Sequence, residues 1–389
     1  MLKLYDWQQK YLEDLPRSVI MTAQTGTGKT LMAMSHAMPE LPILVIAPPA
    51  KVNSHDWQEI GEDMHRPIEP VSFGKVARIV TPNFPYILIV DEIHYAKAAT
   101  SQRAKAVIRL ATDPNCKQVI GLSATAIPNG YIDLQTYGIL FGWWRNKTEF
   151  MRQHVLTDRS RGFPRIIGYV GQDKLKQLWQ SVAFGLDKSY LRLPDLINIT
   201  TTINLSPKQR NEYKVIKTTR ELPDGTMLDT PSKLHATLRQ YLSKTRTQAL
   251  EAVLDDTDEH ILIFYSYNAS RDAILEVATK YRRKVYEQSG HASNLPDGVP
   301  TEPSITLLQY QSGSAGLNLQ YATISIFYEP SYSWMDIEQA KGRNYRGGQT
   351  KMVRHYWFKV DKTIDTAVYK CIANKQDFND NMVDSDTDL

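Results

Sequence analysis

Cysteine is scarce. The 389 residues hold two, Cys116 and Cys371, far apart and in no metal-ligand spacing, so neither a disulfide framework nor a zinc site organises the chain. Both read as small core residues of a reducing compartment. Long apolar runs are also missing: nothing approaches the ~20 consecutive apolar residues of a membrane span. The stretch Met1 to Lys10 is too polar and aromatic for a secretory leader. There is no low-complexity tract and no close internal repeat. These absences point to a soluble, cytoplasmic protein with no membrane partner, and nothing in the chain demands more than a monomer.

What is present is globular. Hydrophobic content of 42% and charged content of 23% are enough to fold without partners, and 389 residues exceed what one core usually supports, so two domains are expected. The net charge is +4, yet the last thirteen residues, Asp377 to Leu389, hold five aspartates and no base; without those five negative charges the remainder carries +9. A basic body suits a polyanion, and solvated surface charge is the competing reading.

Apolar, β-rich runs alternate with longer helical patterns, which implies parallel α/β architecture. The expected strands are Val19–Thr22, Ile43–Ala47, Ile87–Val90 and Val119–Ser123 in the first half, then Ile261–Tyr265, Lys284–Gln288, Ile305–Tyr310, Ile324–Tyr328 and Val353–Phe358. Ligands in such sheets sit beyond the carboxyl ends of the strands. The middle, 142–257, fits the alternation poorly. Its segment Trp143 to Arg165 carries six Lys/Arg against two acids, interleaved with Trp143, Trp144, Phe150 and Phe163; it either grips a phosphate backbone or caps the first lobe.

Ala23-Gln-Thr-Gly-Thr-Gly-Lys-Thr30 follows the first apolar run. Such a loop, poor in side chains, turns consecutive N–H groups of Thr25, Gly26, Thr27 and Gly28 toward a phosphate chain, and a helix starting near Lys29 adds its positive dipole end. Lys29 then reaches the outer phosphates and Thr30 ligates magnesium. An ordinary strand-turn-helix corner is the alternative, disfavoured by the placement. Downstream, Ile87–Val90 runs into Asp91 and Glu92. A carboxylate at the end of a buried strand holds the magnesium shell, and its neighbour orients or deprotonates the attacking water. ATP and Mg2+ are the expected cofactors.

In order along the chain these motifs resemble the superfamily 2 helicases and translocases. Leu4-Tyr-Asp-Trp-Gln8 looks like the glutamine motif, which implies that Gln8 reads the adenine edge. Ile46 to Trp57 is similar to the motif that touches the nucleic-acid backbone, with Lys51, Asn53 and Ser54 as candidate contacts. Gly121 to Gly130 resembles the coupling motif, with Ser123 and Thr125 as its hydroxyls, and Ile261 to Tyr267 the fourth motif, with Ser266 as a contact. Leu193–Tyr213, Leu307–Leu319 and Gln339–Gln349 narrow the resemblance to the SWI/SNF-type branch, in a compact bacterial or phage-like form, although Ser-Ala-Thr stands where Thr-Gly-Thr is usual.

The resemblance implies two RecA-like parallel-sheet lobes in tandem with a helical insertion between motifs three and four. The N-terminal lobe would be 1–185 with the insertion after about 142, the C-terminal lobe 186–376, and 377–389 an acidic disordered tail. Gly316 would let the backbone approach the nucleotide, and Gln339 would place water. Arg343 and Arg346, three apart, would share a helix face and enter the site together. The implied activity is that of an ATP-dependent DNA helicase or translocase moving on duplex, forked or single-stranded DNA through sequence-independent contacts. An RNA helicase and a polynucleotide-binding clamp of little turnover are the rivals.

Overall fold

The computed structural model describes residues 3–23, 26–53, 55–66, 68–123, 131–158, 165–186, 193–310 and 317–374. It divides into two compact units, Met1–Leu191 and Arg192–Leu389. The acidic tail lies outside the described residues.

In the first unit the strands are β1 (Val19–Ala23), β2 (Ile43–Ala47), β3 (Val71–Ser72), β4 (Tyr86–Val90), β5 (Cys116–Ser123), β6 (Val155–Asp158), β7 (Arg165–Tyr169) and β8 (Ala183–Leu186). The helices are α1 (Asp6–Glu13), α2 (Lys29–His36), α3 (Pro49–Asn53), α4 (Asp56–Asp63), α5 (Gln102–Ala111), α6 (Leu134–Leu140), α7 (Lys147–His154) and α8 (Gln172–Val182). Six strands form a sheet in the order β3-β2-β4-β5-β1-β8, every pairing parallel. Every residue of β1 and β4 is buried, the signature of strands covered on both faces. Side chains alternate between two cores: Ile20, Leu88 and Val90 pack with α5 and α6, and Val19, Met21, Ile87 and Ile89 pack with α2 and Trp57. Gly121 sits mid-sheet because an added Cβ would lie 2.7 Å from Ile93 Cδ1.

The insertion after residue 142 carries the helices α7 and α8, and also an antiparallel hairpin, β6–β7. Its aromatic residues cap the unit: Phe150 and Trp144 are buried in the core, Trp144 Nε1 donates to the Gln135 carbonyl at 2.9 Å, and Gly138 leaves room for the Trp144 ring. The chain then returns as β8, whose last residue, Leu186, pairs with Ala23. That edge strand extends the first sheet one residue past the expected end of the first lobe at 185.

The second unit contains β9 (Leu196–Ile203), β10 (Ile261–Tyr265), β11 (Lys284–Gln288), β12 (Ser304–Gln309), β13 (Ile324–Phe327) and β14 (Val353–Val360). Its helices are α9 (Pro207–Thr219), α10 (Pro231–Tyr241), α11 (Thr247–Asp255), α12 (Asn268–Lys280), α13 (Trp334–Lys341) and α14 (Ile364–Ala373). The order is β11-β12-β10-β13-β14-β9, again wholly parallel. Ile261, Ile263 and Tyr265 face one core, Leu262 and Phe264 the other. The expected fold class, two parallel-sheet lobes in tandem, is present. Neither cysteine forms a disulfide; Cys371 is buried and Cys116 half-buried. Among the described residues no helix is long and apolar enough to cross a membrane.

Candidate active site

In the first sheet β5 separates β1 from β4, so the two strand ends that carry the phosphate loop and Asp91 stand about 10 Å apart. Ser123, buried at the end of β5 and in register with Thr22, lies between them. Gly26 and Gly28 take φ of +86° and +79°, conformations that cost glycine little. A Cβ on Gly28 would also lie 2.6 Å from Gln8 Nε2. Gln8 is buried; its Nε2 donates to the Thr27 carbonyl at 2.9 Å and its Oε1 accepts from the Tyr5 N–H at 2.9 Å. This glutamine braces the loop from behind, with both ends of its amide engaged within the protein. Lys29 opens α2 and its Nζ donates to the Ala23 carbonyl at 2.6 Å, inside the loop; Thr30 follows, half-buried.

Asp91 is 4% exposed. Its Oδ2 accepts a hydrogen bond from Trp57 Nε1 at 3.2 Å. Burial, reinforced by the neighbouring Glu92 charge, pushes its carboxyl up to about 6, while Lys51, Lys29 and the Trp57 N–H favour the ionised form. Glu92 has φ +51°, a left-handed conformation sparsely used outside glycine and concentrated at functional sites. It stands 3.3 Å from His94 Nδ1. Lys51, on α3, pairs with Asp56 at 2.7 Å, and Asn53 ends the same helix, exposed.

These residues fit a magnesium–nucleotide pair. The donors on offer, the Thr30 hydroxyl and the Asp91 carboxylate, are hard oxygens. Among the described residues no cluster of three or more His, Cys, Asp or Glu could cage a metal. The glycine cradle and Lys29 suit the phosphates.

In the second unit Ser266 follows β10. Its N–H, at 2.6 Å, and that of Tyr267, at 3.2 Å, both donate to Glu329 Oε1, a fully buried carboxylate that shapes this loop. Gln339 is buried on α13. The expectation that Arg343 and Arg346 share a helix face is corrected: α13 stops at Lys341 with Gly342 as its C-cap, and both arginines lie on the irregular turn beyond. Arg343 is buried, and its carbonyl accepts from Leu319 N–H at 3.1 Å; Arg346 is half-buried. Gln349 pins that turn, its Nε2 donating to the carbonyls of Gln320 and Asn344 at 3.0 and 3.1 Å. The structure thus brings together Gln8, Gly26, Thr27, Gly28, Lys29, Thr30, Asp91, Glu92 and Ser123 in the first unit, and Gln339, Arg343 and Arg346 within one short segment of the second. Thr25, Ser54, Thr125 and Gly316 lie outside the described residues. The sequence reading missed two groups, the Trp57 hydrogen bond to Asp91 and the Glu329 clamp. Trp57 closes the stretch Ile46–Trp57 and could have been suspected; nothing local marks Glu329.

A parallel α/β chain with a phosphate loop and an acidic strand end defines a nucleotide-binding class. Within it, the chain is similar to chromatin-remodelling ATPases. It is 26% identical over 207 residues to the chromatin-remodeling ATPase INO80 of Mycosarcoma maydis, covering 47% of this chain and 11% of that protein. To the helicase SWR1 of Kluyveromyces lactis it is 31% identical over 138 residues, 33% of this chain and 9% of that protein. Over 421 residues it is 22% identical to the Xenopus laevis SWI/SNF-related matrix-associated actin-dependent regulator of chromatin subfamily A-like protein 1, 92% of this chain and 41% of that protein. The chain therefore spans less than half the length of these relatives. No family model matches. The Sulfolobus solfataricus SWI2/SNF2 ATPase core in complex with dsDNA aligns with a TM-score of 0.43 and 20% identity, covering 96% of this chain and 91% of that one.

Proposed function

We propose that the chain is a DNA-dependent ATPase that moves along duplex or branched DNA by sequence-independent backbone contacts. The observation that carries this reading is the convergence of Lys29, Thr30, Asp91 and Glu92 at strand ends separated by β5 alone; similarity to remodelling ATPases supports it. In this reading Lys29 compensates charge on the outer phosphates, and Glu92 orients the attacking water and takes its proton. Magnesium, when bound with ATP, supplies further charge neutralisation at the transferring phosphoryl group. Arg343 and Arg346, close together beyond α13, are the further residues proposed to compensate that charge, and Gln339 the one proposed to help hold the water. Lys51, Asn53 and Ser266 would hold DNA phosphates.

The test is ATP hydrolysis measured with duplex, forked and single-stranded DNA and with RNA, Lys29→Ala serving as the blank. Stimulation by duplex or fork supports the proposal. Equal or greater stimulation by RNA would favour the RNA motor, and tight polynucleotide binding without turnover would leave only the clamp.

A further inference from the structure

We infer that Trp57 is a positioning residue linking the polynucleotide-facing corner α3–α4 to the magnesium carboxylate Asp91; the inference rests on the function proposed above. Trp57 is fully buried among apolar side chains, where phenylalanine would fill much the same space. The indole differs by its N–H, and that donor is spent on Asp91 Oδ2 at 3.2 Å. A carboxylate that ligates a metal is oriented by the partners of its oxygens, and Trp57 fixes one of them.

The other end of the link is one residue away. Asp56, the first residue of α4, pairs with Lys51 at 2.7 Å, and Lys51 lies on α3 beside Asn53, the two proposed phosphate contacts of this corner. The Lys51 charge also acts on Asp91 directly. A DNA phosphate drawing Lys51 from Asp56 would alter the first turn of α4, and the stiff indole on that turn would carry the change to Asp91. This path runs wholly inside the first unit and is distinct from the hydroxyls of the Gly121–Gly130 stretch.

Trp57→Phe is the direct test. The Mg2+ concentration giving half-maximal ATPase should rise about 10-fold, and the ratio of DNA-stimulated to basal turnover should fall, beyond any change in melting temperature. The wild-type protein gives a readout independent of activity and of whether the variant folds. In the indole 1H–15N spectrum, assigned through Phe replacement of the other tryptophans, the Trp57 signal should move on adding short duplex DNA, and again on adding Mg2+ with a non-hydrolysable ATP analogue. A variant with unaltered Mg2+ requirement and stimulation, or a Trp57 signal indifferent to both additions, overturns the inference and leaves the proposed function standing. Wild-type ATPase that no polynucleotide stimulates would overturn both.

Discussion

The two units share one plan, six parallel strands each, but treat charge at the strand ends in opposite ways. In the first, Lys29, Thr30 and Glu92 remain partly accessible; Lys29 and Thr30 open α2 just after the left-handed Gly26 and Gly28, and Glu92 is itself left-handed at its strand end. In the second, the carboxylates turn inward: Glu329 is spent on the Ser266–Tyr267 loop, and Arg246 and Asp365, both fully buried, pair at 2.5 Å. Arg239 is buried beneath Tyr332, 4.5 Å from its ring centroid. The lesson is that acids beyond parallel strands are not by themselves a site. Backbone N–H groups consume Glu329, whereas Glu92 keeps part of its surface open for the role proposed above.

That contrast is open to attack, most sharply through the arginines. Arg346→Ala should lower kcat by about 10³-fold or more while leaving ATP affinity nearly intact, the range of an arginine that stabilises transferring phosphate; single-turnover kinetics beside nucleotide titration would check it, and a loss under tenfold would make the turn framework too. Glu92→Gln should cost about 10²- to 10⁴-fold in turnover with the urea midpoint unmoved. Asp365→Ala should do the reverse, destabilising by about 3–5 kcal/mol because Arg246 is left buried and uncompensated, whereas Arg246→Met with Asp365→Leu should recover most of the loss. Glu329→Gln should fall between, costing about 1.5–3 kcal/mol through its hydrogen bonds to backbone and weakening DNA stimulation more than basal turnover.

The smallest effect concerns pH. The Asp91 value of about 6 lies above the ordinary 3.8, so its proton is favoured by the fold: the associated stability is full below pH 3.8 and is lost as pH rises through 6. Hydrolysis should therefore decline as pH falls through about 6, and added Mg2+ should move that limb to lower pH by competing with the proton.

Strands covered on both faces were legible because burial demands an unbroken apolar run: β2 and β10 have the expected bounds, and β1, β4 and β5 begin or end within three residues of them; the edge strand β11 also has the expected bounds, although only one of its five residues is buried. β3, with two residues, and β8, an edge strand reading Ala-Phe-Gly-Leu, carry too little pattern to be seen. The hairpin β6–β7 escaped because Leu156, Ile166 and Ile167 are exposed, so its apolar residues mark no core face. The three-residue spacing of Arg343 and Arg346 misled because it presumes a helix, and Gly342 ends that helix first.

By itself, the sequence determined whatever depends on adjacent residues: the glycine turn, the lysine and hydroxyl after it, the acidic pair after an apolar strand. Backbone conformation and strand burial are properties of short segments, so contiguous letters suffice for them. Only the tertiary structure decided which acid meets which partner, 34 residues away for Trp57 and Asp91 and 63 for Ser266 and Glu329. Those pairings arise from packing a parallel sheet, which sets strand ends side by side in an order the chain does not follow.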